Sequence, residues 1–483
     1  MRHNISLADE AFKNAFVAGE FVIDCVEIKL TRNGPGDPAA YTACGSLEVS
    51  PTNGAKARLV LPRDPSIPYD PLAKLHELSS YELGKIVPDH HYFALAATDM
   101  SGRVWSHPSA EVKVASENEA SIVLTVESDY LRWESKLDKP EAGVAAMVFM
   151  EDMPFPDRAS TAPTEFKQAK RPAMASAKAS IGMVTGMVVT FDHRLERPGR
   201  QFFEMFIEAE DCGPLPEEFE ERMLEAARFC AAMVTSPVMT ETHRGETRVV
   251  ELAKFRPSNR GGVVLPPLAA TGYEASFHAL MERYYEYASA KAKGGSFAPL
   301  SAKISGLFAL QGVFIDTVAL LLTVAVESVL NEDHFTALGQ PDAGTLAQVD
   351  KLLAHTKAAV AVDPKLIDRG VSAIGGMKST RAADKLHALA VAGLTSEEDR
   401  ATWKKLRDNA AHGSFKVDPA KLQELYDDVW RLNTLLYKLV FLEIGYTGKF
   451  SNRAVAGWPV QGFPPLPAIA PASAAPSAPT PAP

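Results

Sequence analysis

The chain has 483 residues, 46% of them hydrophobic, with 50 basic against 60 acidic side chains and a net charge of -10. That length corresponds to two or three domains with ample apolar material for cores, and the composition excludes a wholly disordered, collagen-like or disulfide-stapled chain. A surface basic all over is excluded too, so a nucleic-acid partner would have to find a local basic cleft.

The four cysteines, Cys25, Cys44, Cys212 and Cys230, form no CxxC pair and read as buried reduced thiols, neither a zinc site nor a redox motif. The first residues, MRHNISLADEAFKNAF, carry charges where a signal peptide needs an apolar stretch. The most apolar segment, Gly306 to Leu330, is interrupted by Asp316 and Glu327. The uncharged stretch between them falls far short of the roughly 20 residues of a membrane span. The expectation is a soluble cytoplasmic protein with no membrane partner.

From residue 1 to about 272 the pattern is mainly of strands. FVIDCVEIKL (21–30), ARLVLP (57–62), HYFALAAT (91–98), AEVKV (110–114), SIVLTVES (121–128), VAAMVFM (144–150) and TGMVVTF (185–191) are rich in Val, Ile, Phe and Thr. Turn-forming clusters such as RNGPGDP and SPTNGAK punctuate them. Many short strands in succession predict a sandwich or barrel of antiparallel sheet. Residues 156–180 follow neither period and predict an exposed loop dividing this region. One helix is expected within 215–234, its first turns acidic where the macrodipole favours them.

Beyond the turn at 257–268 the pattern is helical to about residue 446. SFHALMERYYEYASAKAK, the run from Pro299 to Glu332, and AGTLAQVDKLLAHTKAAV are long and rich in Ala and Leu. Thr395 with Glu398 predicts a capping box opening the next helix, and Gly413 its stop. Asp418 and Pro419 open the last helix, where Leu422, Leu425, Val429, Leu432, Leu436 and Leu439 recur at spacings of three and four. Such a seam must be covered by other helices, which predicts a bundle. The fold class is therefore α+β and multidomain: a β-rich region at 1–272, a helical bundle at 273–457, and a Pro/Ala-rich disordered tail at 458–483.

The chemistry-bearing segment is KKLRDNAAHGSF, residues 404–415. Asp408 stands one turn before His412, and a carboxylate and a helix C-terminus both favour the imidazolium, bringing its proton into the range useful near neutral pH. Arg407 lies about 140° round an ideal helix from His412, so the two converge on one ligand only where the helix ends or where a second copy completes the site. By themselves these residues favour a structural role: a His capping its helix, an Arg solvated beside an Asp. His90 and His91 are adjacent and point to opposite faces of a strand, poor metal geometry. Asp192, His193, Arg194, Arg197 and Arg200 form a small basic turn, read as solvated. No phosphate-binding loop, hydrolase elbow or zincin pattern occurs.

The run R-D-N-A-A-H resembles the Rx4-6H motif of HEPN domains. WKKLRDNAAHG is similar to the LRN-x-x-x-HG segment of the ApeA-like HEPN family of anti-phage proteins, and LVFLEIGYTGKF (439–450) to the GYxGxY-type end of that family's last helix. The apolar helix holding Glu327 is also expected there. The resemblance covers roughly residues 273–457; residues 1–272 are attached to it by domain order alone. It implies a metal-independent endoribonuclease of abortive infection, without cofactor, acting on RNA as a homodimer or higher homo-oligomer and released by a phage-derived trigger. It also assigns general acid/base work to His412, stabilisation of the scissile phosphate to Arg407, and orientation of His412 to Asp408. Glu327 either supports Arg407 or is solvated, and Arg400, Lys404 and Lys405 are candidates to bind RNA. The alternative is a non-catalytic HEPN scaffold for dimerisation or RNA binding.

Residues 273–457 hold 21 basic and 21 acidic side chains, so the excess acid lies in residues 1–272. An acidic front region beside a neutral bundle is expected to mask the basic stretch at 400–407 electrostatically.

Overall fold

The computed structural model describes residues 10–34, 40–62, 87–117, 121–150, 178–185, 187–197, 200–209, 213–257, 264–268, 272–310, 312–359, 362–411 and 421–464. Two compact units emerge. One comprises Met1–Glu220, Thr235–Ser258 and Ala270–Glu274; the other comprises Glu221–Val234, Asn259–Ala269 and Ala275–Pro483.

The first unit is β-rich. After helix α1 (Glu10–Ala18) come β1 (Phe21–Arg32), β2 (Ala40–Ser50), β3 (Gly54–Pro62), β4 (Phe93–Asp99), β5 (Val104–Glu117) and β6 (Ser121–Ser128). These pair antiparallel in the order β1-β2-β3-β6-β5-β4, and β4 pairs back onto β1, closing a six-stranded barrel. The alternation that predicts strands also supplies the core: β3 buries Ala55, Ala57, Leu59 and Leu61, and β4 buries Phe93, Leu95 and Ala97. A barrel this narrow is filled by side chains, here with Ile28, Leu47, Leu59, Leu95, Trp105 and Leu124 in one buried cluster. Phe12 of α1 packs edge-on against Phe21 at 4.7 Å and stacks on Trp105 at 6.5 Å. The β4–β5 turn is tied by Asp99, which accepts from the backbone of Ser101 (2.8 Å) and Arg103 (2.9 Å).

Beyond the barrel, β7 (Tyr130–Phe149), β8 (Lys178–Val184), β9 (Met187–Arg197), β10 (Arg200–Ala209) and β11 (Met239–Ala253) form sheet in the order β11-β7-β10-β9-β8. It joins the barrel where Trp105 of β5 pairs with Trp133 of β7. β11 buries Met239, Val250 and Leu252 in the core and, among them, a polar cluster: Glu241 meets His243 at 3.0 Å and Arg248 at 2.8 Å. A buried charge persists only with such partners.

Several expectations need correction. His90 and His91 lie in a 3-10 turn at Asp89–His91, not a strand. Most of 156–180 lies outside the described residues, while Lys178 to Ser180 already belong to β8. Cys25 and Cys230 are buried, but Cys44 is exposed; Cys212 lies outside the described residues. Burial, and then Asp99 and Asp24, push the Cys25 thiol up to about 11, which keeps it protonated and inert.

The second unit is helical: α2 (Phe219–Ala231, of which the part from Glu221 belongs here), α3 (Glu274–Lys291), α4 (Pro299–Phe308), α5 (Ile315–Val329), α6 (Ala343–Lys357), α7 (Pro364–Gly375), α8 (Ala382–Val391), α9 (Glu397–Ala411) and α10 (Leu422–Ile444). The division of the chain therefore does not follow a single cut near 272. Phe229 of α2 stacks on Tyr284 of α3 at 4.4 Å and meets Tyr437 of α10 edge-on at 5.8 Å. The run from Pro299 to Glu332 is two helices, broken at Gly312, which takes a left-handed φ of 66°. Apolar residues on both sides hide that break from periodicity.

The expected seam of α10 is buried from Val429 through Leu439, while Leu422 stays exposed; Asp418 and Pro419 lie outside the described residues. The segment GYTGKF closes the bundle. Gly445 caps α10 in the left-handed conformation (φ 68°), and buried Tyr446 donates to the carbonyl of Lys449 at 2.7 Å. A Cβ on Gly448 would lie 2.3 Å from the Tyr446 hydroxyl oxygen, so only glycine fits beneath that ring. Residues 458–464, expected as the start of the tail, are structured instead, and 465–483 lie outside the described residues. β12 (Lys449–Ser451) pairs with β13 (Val460–Gly462), and Phe463 is buried against Phe441 at 5.5 Å and Phe450 at 6.1 Å. Among the described residues no helix is long and apolar enough to cross a membrane.

Glu443 of α10 supplies a pH test. Its carboxyl is held above the usual glutamate range by burial and by Glu332 and Asp333, with Lys291 and Lys303 opposing. A carboxyl with a raised folded pKa binds its proton more tightly folded than unfolded. Its contribution is complete below the ordinary glutamate pKa and is lost as pH rises through the raised value. The Glu443→Gln variant should therefore gain melting temperature over the parent progressively from about pH 4 towards neutrality. Parallel melting curves across that range would contradict this placement of the carboxyl.

Candidate functional site

Helix α9 carries the motif, and its start differs by one residue from the expected box. Ser396 and Asp399 cap reciprocally: the Asp399 amide donates to Ser396 Oγ at 3.0 Å and the Ser396 amide to Asp399 Oδ2 at 3.1 Å. Asp399 wins over Glu398 because it points inward, buried, to Lys438 at 3.0 Å and Arg431 at 3.6 Å on α10. The inward face of α9 continues with Thr402, Trp403 and Leu406, all buried, at helical spacing. Trp403 Nε1 donates to the carbonyl of Thr323 on α5 at 3.4 Å.

That anchoring leaves Arg407 and Asp408 on the exposed side. Arg407 Nε donates to the Glu327 carboxylate of α5, forming an ion pair, and its guanidinium lies 5.8 Å from the Trp403 ring centroid. Both partners of the pair are partly exposed, so its net contribution to stability is about 0–1 kcal/mol. Its effect is positional: it fixes the direction of the guanidinium. Asp408 has no ion-pair partner among the described residues. The structure joins Arg407 to Glu327 and Trp403, while His412 and Gly413 lie outside the described residues.

The expected RNA-binding bases are not a free positive stripe. Arg400 Nε donates to Glu397 at 2.6 Å, and Glu397 also meets His387. Lys405 pairs with Glu424 at 2.6 Å and Asp428 at 2.8 Å on α10. Lys404 is exposed. Two of the three charges are thus already met by local carboxylates. Trp403 escaped the sequence reading, although its place one turn before Arg407 was the available signal.

Beside the ion pair, α5 exposes Leu320 and Val324 on the same face as Glu327, at spacings of four and three. Among the described residues no three His, Cys, Asp or Glu side chains gather as a metal site. No family model, curated protein or solved structure matches this chain.

Proposed function

We propose that the helical unit is a HEPN-type, metal-independent endoribonuclease of the ApeA-like kind, an anti-phage effector that cleaves RNA, tRNA included, through attack of a ribose 2′-hydroxyl. The observation that carries it is the oriented Arg407: an exposed guanidinium on the motif helix, aimed by Glu327 and backed by Trp403. In this reading Arg407 holds the scissile phosphate and stabilises its developing charge. His412 moves the proton at the 2′-hydroxyl or the leaving 5′-oxygen, and Asp408, one turn earlier, favours its charged form. The exposed Leu320 and Val324 stripe beside the site supports a homodimer that brings two such pairs together.

The test is RNA cleavage in EDTA by the purified protein, alone and with phage lysate as trigger. Arg407→Ala and His412→Ala should each lower the rate by about 100-fold or more with the melting temperature unchanged. Undiminished cleavage in both variants would remove the assignment.

A second reading is favoured by the neutralised bases: a non-catalytic HEPN scaffold in which Arg407 only pairs with Glu327. It predicts no cleavage by the parent, and loss of dimers in Leu320→Asp.

A further inference from the structure

The helical unit contains a guanidinium buried without a counter-charge. Arg453, in the turn after β12, is 7% exposed. One nitrogen donates to the carbonyl of Pro266, while Nε and Nη1 are buried and have no hydrogen-bond partner. Among the described residues no carboxylate pairs with it. Burial pulls its pKa below the ordinary arginine value, and the Tyr437 hydroxyl is the one group that acts against this.

Asn433 of α10 is wholly buried, and neither its amide oxygen nor its amide nitrogen has a partner of ordinary geometry. The two residues converge. The Arg453 amide donates to Oγ1 of Thr434 at 3.2 Å, and both the guanidinium and the Asn433 amide act on the Tyr437 hydroxyl, which donates to the carbonyl of Leu265 at 2.6 Å. On the outer side the guanidinium lies 5.8 Å from the ring of Trp458, which pairs with Trp430 at 5.3 Å. Trp458 is 44% exposed and held at a φ of 50°, a left-handed conformation that strains a bulky residue.

Taking a guanidinium out of water without an anion is among the most costly arrangements a fold can keep. Paired, it becomes a strong one, because charge-assisted bonds to an oxyanion strengthen in a low-dielectric site. The unused donors are Nε and Nη1 of Arg453, the fork that grips two oxygens of a phosphate or carboxylate, and the Asn433 amide acts beside the guanidinium on the Tyr437 hydroxyl.

We propose that Arg453 and Asn433 form a binding site for the oxyanion of a small ligand, phosphate or carboxylate, with Trp458 and Trp430 as its outer wall. The site uses none of the residues around Arg407, so the proposal stands or falls separately from the nuclease reading.

The test is a titration of the full-length protein with inorganic phosphate in one arm and acetate in the other, at constant ionic strength, followed by melting temperature and calorimetry. One or both anions should raise the melting temperature saturably, the stronger arm naming the group. Arg453→Met should weaken that binding about 10- to 100-fold while melting no lower than the parent in the absence of anion. Asn433→Asp, which supplies the missing negative charge at constant size, should melt higher than the parent and lose the anion response. No response of the parent to either anion overturns the proposal. So does an equal response in Asn433→Asp, or an anion-free melting temperature of Arg453→Met well below that of the parent.

Discussion

A chain beginning at residue 273 is expected to lack a stable helical unit, although it keeps every residue from α3 to α10. What it loses is α2, whose Phe229 stacks on Tyr284 and meets Tyr437 edge-on, and a buried ion pair. Arg222 and Glu225 of α2 pair with one another, Arg222 donates to the carbonyl of Ser296 at 2.8 Å, and Glu225 accepts from the Ala298 amide at 3.0 Å. The Ala298 amide and the start of α4 would be left without that partner. The cut also removes Leu265 and Pro267, whose carbonyls accept from Tyr437 and from the Ser451 amide.

Phe229→Ala alone should cost about 3–5 kcal/mol, the usual range for a buried phenylalanine. A domain's whole margin is about 5–15 kcal/mol, so removing the entire helix exceeds what the unit has to spare. Circular dichroism and thermal melting of the 273–483 fragment should show no cooperative transition, while full-length Phe229→Ala should melt at a lower temperature. A cooperative fragment melting like the parent would show that α2 is dispensable. For the masking hypothesis the consequence is direct: deleting residues 1–272 removes part of the bundle along with the acid, so its effect on RNA binding does not report electrostatics alone.

The parts of the fold legible from sequence are those where one face is apolar and the period is clean, such as β3, β4, β6 and the α10 seam. β11 was hidden because Glu241 and His243, made tolerable by Arg248, are buried in the same strand as Met239, Val250 and Leu252, and alternation of polarity is broken where buried positions are charged. Closure of the barrel depends on β4 pairing with both β1 and β5, and nothing local in Phe93–Asp99 encodes two partners. At the candidate site the helix was legible from its cap and length, and the separation of Arg407 from the face of His412 from its spacing; the inward anchors that leave Arg407 exposed were not. The neutralisation of Arg400 and Lys405 was not, since Glu424 and Asp428 come from another helix. The placement of α2 with the later helices required the same kind of long-range knowledge.

Asp399→Ala should be the most damaging single change on the motif helix. The carboxylate caps the first turn of α9 and also meets Lys438 and Arg431, both mostly buried. Removing it leaves an uncapped helix start worth about 1 kcal/mol, takes the carboxylate from Lys438, and leaves Arg431 with Glu398 at 2.9 Å. Deleting one member of a buried pair typically costs about 3–5 kcal/mol. Asp399→Asn keeps the cap but not the charge and should fall between, which separates the two contributions. Because α9 is aligned by this end and by Trp403, its exposed face should shift with it. Arg407 should then lose its contact with Glu327, seen as faster amide exchange along α9 and as vanished coupling in a Glu327→Gln/Arg407→Lys cycle built on the Asp399→Ala background. A melting temperature within the error of the parent would mean that Lys438 and Arg431 find other partners and that the alignment of α9 rests on Trp403 and Leu406 alone.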